Sequence, residues 1–304
     1  MIIISVDFNS NKKTLAMVET MLKADSNCCF VIVDNSPTSS LVTESFKSSM
    51  TELGLDVCLL NANEESLKPA ALNNKLIVLS GHGNIGFGGG MNLATDFVNA
   101  NFPVDILSNE IICLINPDVN VLSVNEGAIA RLIEKNGRKA LVGPSYRSRL
   151  GLIDSPYHYY GVVSGLIYMR PWRLRRQYLC GGCIFFHHSQ IAHIKFDDKR
   201  YFLYWEEVDL QMDLMSSGWV LDHCKEVEIS HEVGGTMPSR EFALENFGKS
   251  RYLFFVKHHN WASVLCIVLT TILTALKFVL TGKAGCGKAL LVGLSNGIIS
   301  EANS

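Results

Sequence analysis

Neither sign of charge dominates this sequence. Lys and Arg number 27 against 29 Asp and Glu, a formal net charge of -2, and charged residues make up only 18% of the chain. Without a global basic field there is no electrostatic basis for nonspecific binding to duplexes or single strands, so nucleic acid is excluded as an expected partner. A secretory start is also missing: no basic opening followed by an apolar stretch and a small-residue cleavage site leads the chain. The nine cysteines, odd in number and scattered through apolar runs, are therefore expected to be reduced cytosolic thiols in buried packing positions. Two motif-like stretches each lack a needed part. Cys180-Gly181-Gly182-Cys183 has no second Cys or His pair at zinc-ligand spacing, which leaves a small-residue turn before a strand. Gly282 to Ala289 nearly spells a phosphate-binding loop, yet Ala289 stands where a Ser or Thr hydroxyl should meet Mg²⁺.

What the sequence has in quantity is apolar side chains, 48% of 304 residues, with the excess near the C-terminus. That length can bury a large core and suits one large domain with an appendage; we expect an intact chain rather than a fragment. Apolar runs at residues 2–6, 29–33, 57–60, 76–79 and 111–115 read as short strands, and helical patterns fall at 14–22, 93–99 and 125–135. Further on, 140–142 reads as a strand, 146–160 as a polar and aromatic loop, and 201–218 as a loop entering a helix; 180–187 and 229–236 read as ordered runs. Strands that alternate with helices and end in polar or acidic residues argue for an α/β fold, with a parallel sheet and a site along its carboxyl edge.

Four constellations carry chemistry. Asp34-Asn35 ends the second strand, and a glycine-rich loop from Asn84 to Asn92 opens onto a helix. A carboxylate or amide at a strand end can bind a base or ribose, and glycines let backbone amides approach a pyrophosphate; the plainer alternative is a flexible turn. Asn116-Pro117-Asp118 ends the most hydrophobic strand. Its Asp is either a turn residue or a ligand where a cation meets a diphosphate, and one carboxylate plus diphosphate oxygens suits Mg²⁺ or Mn²⁺. Glu206, Glu207 and Asp209 follow Tyr201, Phe202, Tyr204 and Trp205. An apolar wall can lift a carboxylate toward the range of a general base, whereas the alternative is simply the acidic first turn of a helix. His231 is either a satisfied structural residue or, with Asp118, half of a mixed carboxylate and imidazole site that favours Mn²⁺.

Taken in order, Asn84-x-Gly86-Phe87-Gly88-x-Gly90-x-Asn92, Asn116-Pro117-Asp118, Gly181-Gly182-x-x-Phe185, Phe202-x-x-Trp205-Glu206-Glu207-Val208-Asp209-Leu210, His231, Ser250-Arg251-Tyr252 and Lys257-His258 resemble the motif series of family 2 glycosyltransferases, in the rhamnosyltransferase-like branch. The resemblance covers about residues 1–260. It implies a GT-A fold, Rossmann-like with a mostly parallel central sheet flanked by helices, here with a C-terminal helical, membrane-associating extension. It also implies a nucleotide-sugar donor and a single displacement that inverts the anomeric centre. By this resemblance Phe8, Asn9, Asp34, Asn35, Asn84, Gly86, Phe87, Gly88, Gly90, Asn92 and Asn116 bind the donor, while Asp118 and His231 bind a divalent cation. Gly181, Gly182, Trp205 and Asp209 face the acceptor. Glu207 is the base beside Glu206, and Glu206 and Asp209 are fallbacks. The chain departs from the family pattern where Glu207 replaces an Asp, one methylene longer, and where Asn116 replaces the first acid of a full DXD, which is expected to weaken metal dependence. Asp118, His231 and the acidic pair are expected to converge on one diphosphate cleft.

The resemblance divides the chain into a catalytic domain over 1–245, with a nucleotide-sugar half at 1–120 and an acceptor half at 121–245, and an apolar helical extension over 246–304. Trp261–Leu280 carries one charge, Lys277, and approaches the roughly 20 residues that a bilayer crossing needs. Ser263, Thr270, Thr274, Lys277 and Thr281 recur at helical spacing as a mildly polar stripe, and Lys257, His258, His259, Lys283 and Lys288 flank the segment. We therefore expect it to lie on a membrane surface rather than cross, with a true span and a buried core helix as alternatives. The basic stretch from Arg170 to Arg176, with Trp172, either touches a lipid diphosphate or caps a surface helix. The activity implied is transfer of a sugar, first L-rhamnose from dTDP-rhamnose, to a polyprenyl-diphosphate-linked saccharide. Its setting would be O-antigen or related polysaccharide assembly, peripherally at the cytoplasmic face of the bacterial inner membrane. Alternatives are a galactofuranosyl or other UDP-sugar transferase and, from another class, an inactive member that scaffolds a membrane polysaccharide complex. A sugar-nucleotide-forming nucleotidyltransferase is disfavoured because no basic glycine-rich loop lies near the start. A homo-oligomer is compatible with the sequence.

Overall fold

The computed structural model describes residues 1–38, 41–61, 74–102, 107, 110–148, 150–231 and 239–303. In chain order the elements are β1 (Ile2–Asp7), α1 (Asn11–Ala24), β2 (Cys29–Asp34), α2 (Glu44–Glu52), β3 (Asp56–Asn61), β4 (Lys75–Ser80), α3 (Gly86–Asn101), β5 (Ile111–Ile115), β6 (Val119–Ser123) and α4 (Glu126–Lys135). There follow β7 (Ala140–Arg147), β8 (Ile153–Asp154), β9 (Tyr157–Gly161), β10 (Ile167–Tyr168), β11 (Arg175–Leu179) and β12 (Cys183–His187). The chain closes with α5 (Glu206–Ser216), β13 (Val220–His231), α6 (Arg240–His258), α7 (Trp261–Leu280) and α8 (Ala284–Ala302). Of the ordered run expected over 229–236, residues 232–236 lie outside the described residues. Two compact units form: Met1–Pro156, Leu179–Phe196 and Met212–Thr236 make the first, and Tyr157–Tyr178, Asp197–Gln211 and Met237–Ser304 make the second. The expected division was contiguous along the chain; the compact units are interleaved.

The first unit is built on a sheet of order β3-β4-β2-β1-β5-β12-β7-β13-β6, with β8 paired to β7. From β3 to β5 every pairing is parallel. Every residue of β1 and β2 is buried, as strands covered on both faces require, and such strands read as continuous apolar runs. Met17 and Met21 of α1 pack with Ile3, Phe30, Ile32, Val78 and Cys113 in the core. Parallel pairing also gathers strand ends at one edge, where Asp7 and Asp34 stand in register. Beyond β5 the sheet becomes mixed: β12 runs antiparallel to β5 and β7, and β13 runs antiparallel to β6.

Two expectations about loops change. Residues 146–160 are not a loop, since β7 runs to Arg147 and β8 and β9 follow it; their alternation of polar and aromatic residues hid short strands. The glycine-rich stretch is not a loop either, because α3 already starts at Gly86. Its glycines answer to packing: a Cβ on Gly90 would lie 2.8 Å from a methyl of Val6.

The second unit has a three-stranded sheet of order β10-β9-β11 and the helices α6, α7 and α8. Its centre is aromatic: Tyr160, Trp205, Phe254 and Phe255 lie edge to face or tilted against one another. Helices α6 and α8 touch backbone to backbone, since a Cβ on Gly293 would lie 2.0 Å from the carbonyl of Glu245. The near-phosphate loop at its C-terminal side is the start of α8, and Cys286, Gly287 and Ala289 are buried there. Residues 170–176 form no helix; they lead into β11.

Helix α7 is long and apolar enough to cross a membrane by length and composition. Its polar stripe does not turn outward as a unit: Ser263 is buried and Thr270 accepts a hydrogen bond from Arg251, whereas Lys277 and Thr281 are exposed. Leu265, Leu269, Leu273 and Leu276 are exposed as well. Small and hydroxyl-bearing residues permit close helix packing, which leaves the leucines outside.

Candidate functional site

The carboxyl edge of the first unit holds most of the expected donor residues, and their environments sort them into two groups. Asp34 was expected to hold a nucleoside, but it is buried, and its two oxygens accept backbone N–H groups of Ser36 at 3.0 Å and Leu41 at 3.2 Å. It shapes the turn after β2. Asn35 donates to the carbonyl of Gly86 at 2.8 Å and accepts from His82 Nε2 at 3.0 Å. Asn92 is committed as well: its amide clamps the backbone of Phe196 in both directions at 2.9 Å. Buried Gly86, Gly88 and Gly90 belong to the packed start of α3. The accessible members are Phe8, Asn9, Asn84 and Phe87. Asn9 adopts φ of 50°, a region few side chains accept without a local reason, and its N–H donates to Ser36 Oγ at 2.9 Å. Asn84 accepts from the N–H of Gly86 at 3.1 Å, at the opening of α3.

Two residues here escaped sequence reasoning. Asp7 is fully buried and accepts from Ser10 Oγ at 2.6 Å and Thr14 Oγ1 at 2.5 Å. Burial pushes its carboxyl up against the pull of those hydroxyls. Its place directly after the first apolar run was the available signal. His82 had none, because its contact with Asn35 spans 47 positions.

A tighter cluster forms where β5 ends. The turn Asn116-Pro117-Asp118 leads straight into β6, and the pairing of β6 with β13 sets His231 opposite Val119. His231 Nε2 thereby comes to lie 3.0 Å from Asp118 Oδ1, with side-chain exposures of only 11% and 9%. Burial works against the charged imidazole, but hydrogen bonds to Asp118 and Cys180 overcome it and raise the ring to about 9. Gly182 closes the cluster: its carbonyl accepts the N–H of Asn116 at 2.9 Å, and a Cβ there would lie 2.9 Å from His231 Nδ1. Gly182 was expected to face an acceptor; the imidazole occupies that face. Tyr146, unforeseen by sequence, donates its hydroxyl to the Cys180 carbonyl at 3.4 Å and sits beside the His231 ring.

In this structure the Asp118–His231 contact is a hydrogen bond, and His231 would have to give up its extra proton before its nitrogen could hold a cation. Asp118 and His231 supply an oxygen and a nitrogen side by side, and Asn116 Oδ1 is buried with no hydrogen-bond partner. No group of three or more His, Cys, Asp or Glu side chains suited to a metal exists among the described residues. Such a cation would therefore depend on ligand oxygens to complete its shell, as Mg²⁺ and Mn²⁺ commonly do.

In the second unit the acids stand at the first turn of α5. The two residues just before it, Tyr204 and Trp205, have φ of 67° and 69°. Consecutive left-handed bulky residues cost on the order of 1–3 kcal/mol each and persist where surroundings over-determine them, often at functional sites. Here the Trp205 indole supplies the restraint. It is 4% exposed and packs on Phe247, Phe254 and Phe255, so it is core rather than the acceptor platform expected of it. Glu206 is buried with Oε2 lacking a partner. Burial and the neighbouring Glu207 charge push Glu206 well above the usual carboxylate range, and burial pushes Glu207 up as well. Asp209 differs: although burial opposes ionisation, His258 and Lys257 hold its carboxyl below the usual range. It accepts from Tyr201 Oη at 3.0 Å, His258 Nε2 at 2.7 Å and Lys257 Nζ at 2.8 Å. These bonds correct its expected roles as acceptor contact and fallback base, because a carboxylate so held is a poor proton acceptor.

Comparison with known proteins adds the fold. The crystal structure of GalNAc-T7 with UDP, GalNAc and Mn²⁺ superposes with a TM-score of 0.55 and 11% identity, covering 84% of this chain and 49% of that one. The fold is a GT-A fold. No family model matches the chain. N-acetylglucosaminyl-diphospho-decaprenol L-rhamnosyltransferases of Mycobacterium tuberculosis, strains CDC 1551 / Oshkosh and ATCC 25618 / H37Rv, are each 30% identical over 86 residues. That stretch is 27% of this chain and 27% of each relative, so the match spans about a quarter of their length. The expected residues divide between the two units: Asp118 and His231 lie in the first, and Glu206, Glu207 and Asp209 in the second.

Proposed function

We propose that this protein is an inverting glycosyltransferase that moves a sugar, first L-rhamnose from dTDP-rhamnose, from a nucleotide-sugar donor to a polyprenyl-diphosphate-linked saccharide. The observation that carries this reading is the Asp118–His231 pair, 3.0 Å apart beside the orphaned Asn116 oxygen. The GT-A fold and the partial likeness to relatives named as rhamnosyltransferases support the choice of reaction and sugar.

Asp118 and His231, with Asn116, would hold Mg²⁺ or Mn²⁺, which supplies charge neutralisation for the departing diphosphate. Glu207 takes the proton from the acceptor hydroxyl. The freed oxygen bonds to the anomeric carbon as the bond to the diphosphate oxygen breaks on the opposite face, which inverts that centre. Glu206, the more strongly shifted acid, keeps its proton, so one negative charge rather than two sits at the start of α5. The exposed leucines of α7 support peripheral attachment of the 246–304 helices at the cytoplasmic face of the bacterial inner membrane.

The test is a panel of dTDP-, UDP- and GDP-sugars with Mn²⁺, read by donor hydrolysis and by thermal melting. Stabilisation and slow hydrolysis confined to one nucleotide class are expected, with dTDP first. A UDP response would replace the sugar assignment while keeping the reaction. A flat response across the panel would overturn the reading in favour of a catalytically silent scaffold.

A further inference from the structure

Outside the proposed site, residues 157–178 of the second unit hold β9, β10 and most of β11. This segment carries Arg170, Arg173, Arg175 and Arg176 and no Asp or Glu at all. Tyr160 and Tyr178 are buried, but the apolar residues between Val163 and Leu174 do not fold inward. Val163, Leu166, Ile167, Met169 and Leu174 are exposed, and Trp172 most of all, at 70%.

The exposure is built into the segment by bonds that hold its backbone. Gly165 N–H donates to the Gly161 carbonyl at 2.8 Å, and Gly161 N–H donates to the Leu166 carbonyl at 2.9 Å, which closes a tight turn between β9 and β10. The link from β10 to β11 is closed by Arg175, whose Nη1 donates to the Arg170 carbonyl at 2.7 Å and whose guanidinium lies 3.5 Å above the Tyr168 ring. At the base, buried Arg251 donates to the Ser164 carbonyl at 2.7 Å. An apolar tip presented on so many backbone bonds is a fixed surface, and contiguous exposed apolar surface of this kind marks a place of contact.

We propose that this hairpin surface docks on an anionic lipid bilayer, with Trp172, Met169 and the neighbouring aliphatic side chains entering the acyl boundary and Arg170, Arg173 and Arg176 at the phosphates. The charge pattern selects this occupant. Trp and Arg are the side chains suited to the headgroup layer, where an apolar body and a polar end are both satisfied. Basic residues without local counter-charge gain from the negative surface potential of an anionic leaflet. A protein partner would need an apolar patch ringed by acids to match the same surface. The contact is independent of the sugar-transfer reading and adds a second membrane-facing element to the attachment proposed for the C-terminal helices.

The test uses the full chain with vesicles of phosphatidylcholine alone and of equal parts phosphatidylcholine and phosphatidylglycerol. Arg170→Gln/Arg173→Gln should lower partitioning on the mixed vesicles by roughly twenty-five-fold, about five-fold for each charge near the surface, and change little on phosphatidylcholine. Because the affinity of α7 is common to both variants, a second measurement isolates the hairpin. The emission lost in Trp172→Phe, taken as a difference spectrum, should be blue-shifted and quenched by brominated acyl chains. Circular dichroism confirms that both variants keep the fold. Wild-type partitioning by the double variant, or a Trp172 signal indifferent to vesicles, overturns the proposal. Self-association that depends on Trp172 without any vesicle binding overturns it too and assigns the surface to a second copy.

Discussion

His231 and Asp118, separated by 113 positions in the chain, meet at 3.0 Å because β13 and β6 pair antiparallel at the sheet edge. The contact needs both partners: removing either leaves a buried polar group unsatisfied, at a cost of about 1–3 kcal/mol. We expect His231→Ala and Asp118→Asn to remove the Mn²⁺-dependent rise in melting temperature. Each should lower donor turnover by on the order of 10²-fold, the scale set by losing one stabilising group at a developing charge. Mn²⁺ titrations followed by melting and turnover check this, and wild-type metal response in both variants would move the cation elsewhere.

Gly182 tests the same cluster without touching a ligand. A Cβ at that position would stand 2.9 Å from His231 Nδ1 and 3.0 Å from Cε1, so the ring must turn away from Asp118 or the backbone must shift. Gly182→Ala should cost about 1–3 kcal/mol of stability, the usual range for overpacking, and should weaken Mn²⁺ binding in parallel. Loss of stability with unaltered Mn²⁺ affinity would show that the imbalance is absorbed by the backbone and that the ring orientation is unimportant.

The parts of this fold that were legible in the sequence are those whose physics is local. β1, β2, β4 and β5 announce themselves because strands buried on both faces must be apolar throughout. The start of α3 was misread because glycine is a poor helix former in isolation, and only the approach of Val6 to Gly90 explains why glycine stands there. In the site, residue types pointed to Asp118 and His231, but the roles of Asp34, Asn92 and Asp209 turned on partners that no local pattern reveals. Asn92 grips Phe196 from 104 positions away, and Asp209 meets His258 from 49. The polar stripe on α7 was visible, but its direction was not: Ser263 is buried and Thr270 meets Arg251, because close helix packing favours small side chains, while Lys277 and Thr281 stay exposed.

Glu206 and Glu207 carry a pH signature with a definite sign. A carboxyl whose folded pKa is raised keeps a proton in the native state that the unfolded chain releases near pH 4.3 or so. Stability then falls as pH rises from that point toward the folded value. For Glu206 the cause is burial together with the Glu207 charge. Glu206→Gln should therefore raise the melting temperature at pH 8 by several degrees, on the order of 2–4 °C per kcal/mol, and change it little at pH 4. Calorimetry at both values checks this; an equal shift at each pH would mean that proton linkage is not the cause. For the same reason transfer should increase with pH as Glu207 loses its proton, and Glu207→Gln should abolish transfer while donor binding persists.

Asp209 should show the opposite dependence. Tyr201, His258 and Lys257 all donate to it, and the last two hold its folded pKa below the unfolded one despite burial. A depressed carboxyl contributes stability that is present above the unfolded pKa and disappears as pH falls through the folded one. Asp209→Asn leaves the cations of this network facing a neutral amide in a largely buried setting, for which about 3 kcal/mol is a reasonable scale. The variant should lose that amount at neutral pH, measured by urea denaturation, and approach the wild type in strong acid, where the native carboxyl is itself protonated. Because α5 begins with the acidic pair and Asp209 ties its first turn to α6, the loss should also lower turnover at full donor saturation more than it raises KM. A purely structural role for Asp209 would leave the turnover of the folded fraction unchanged.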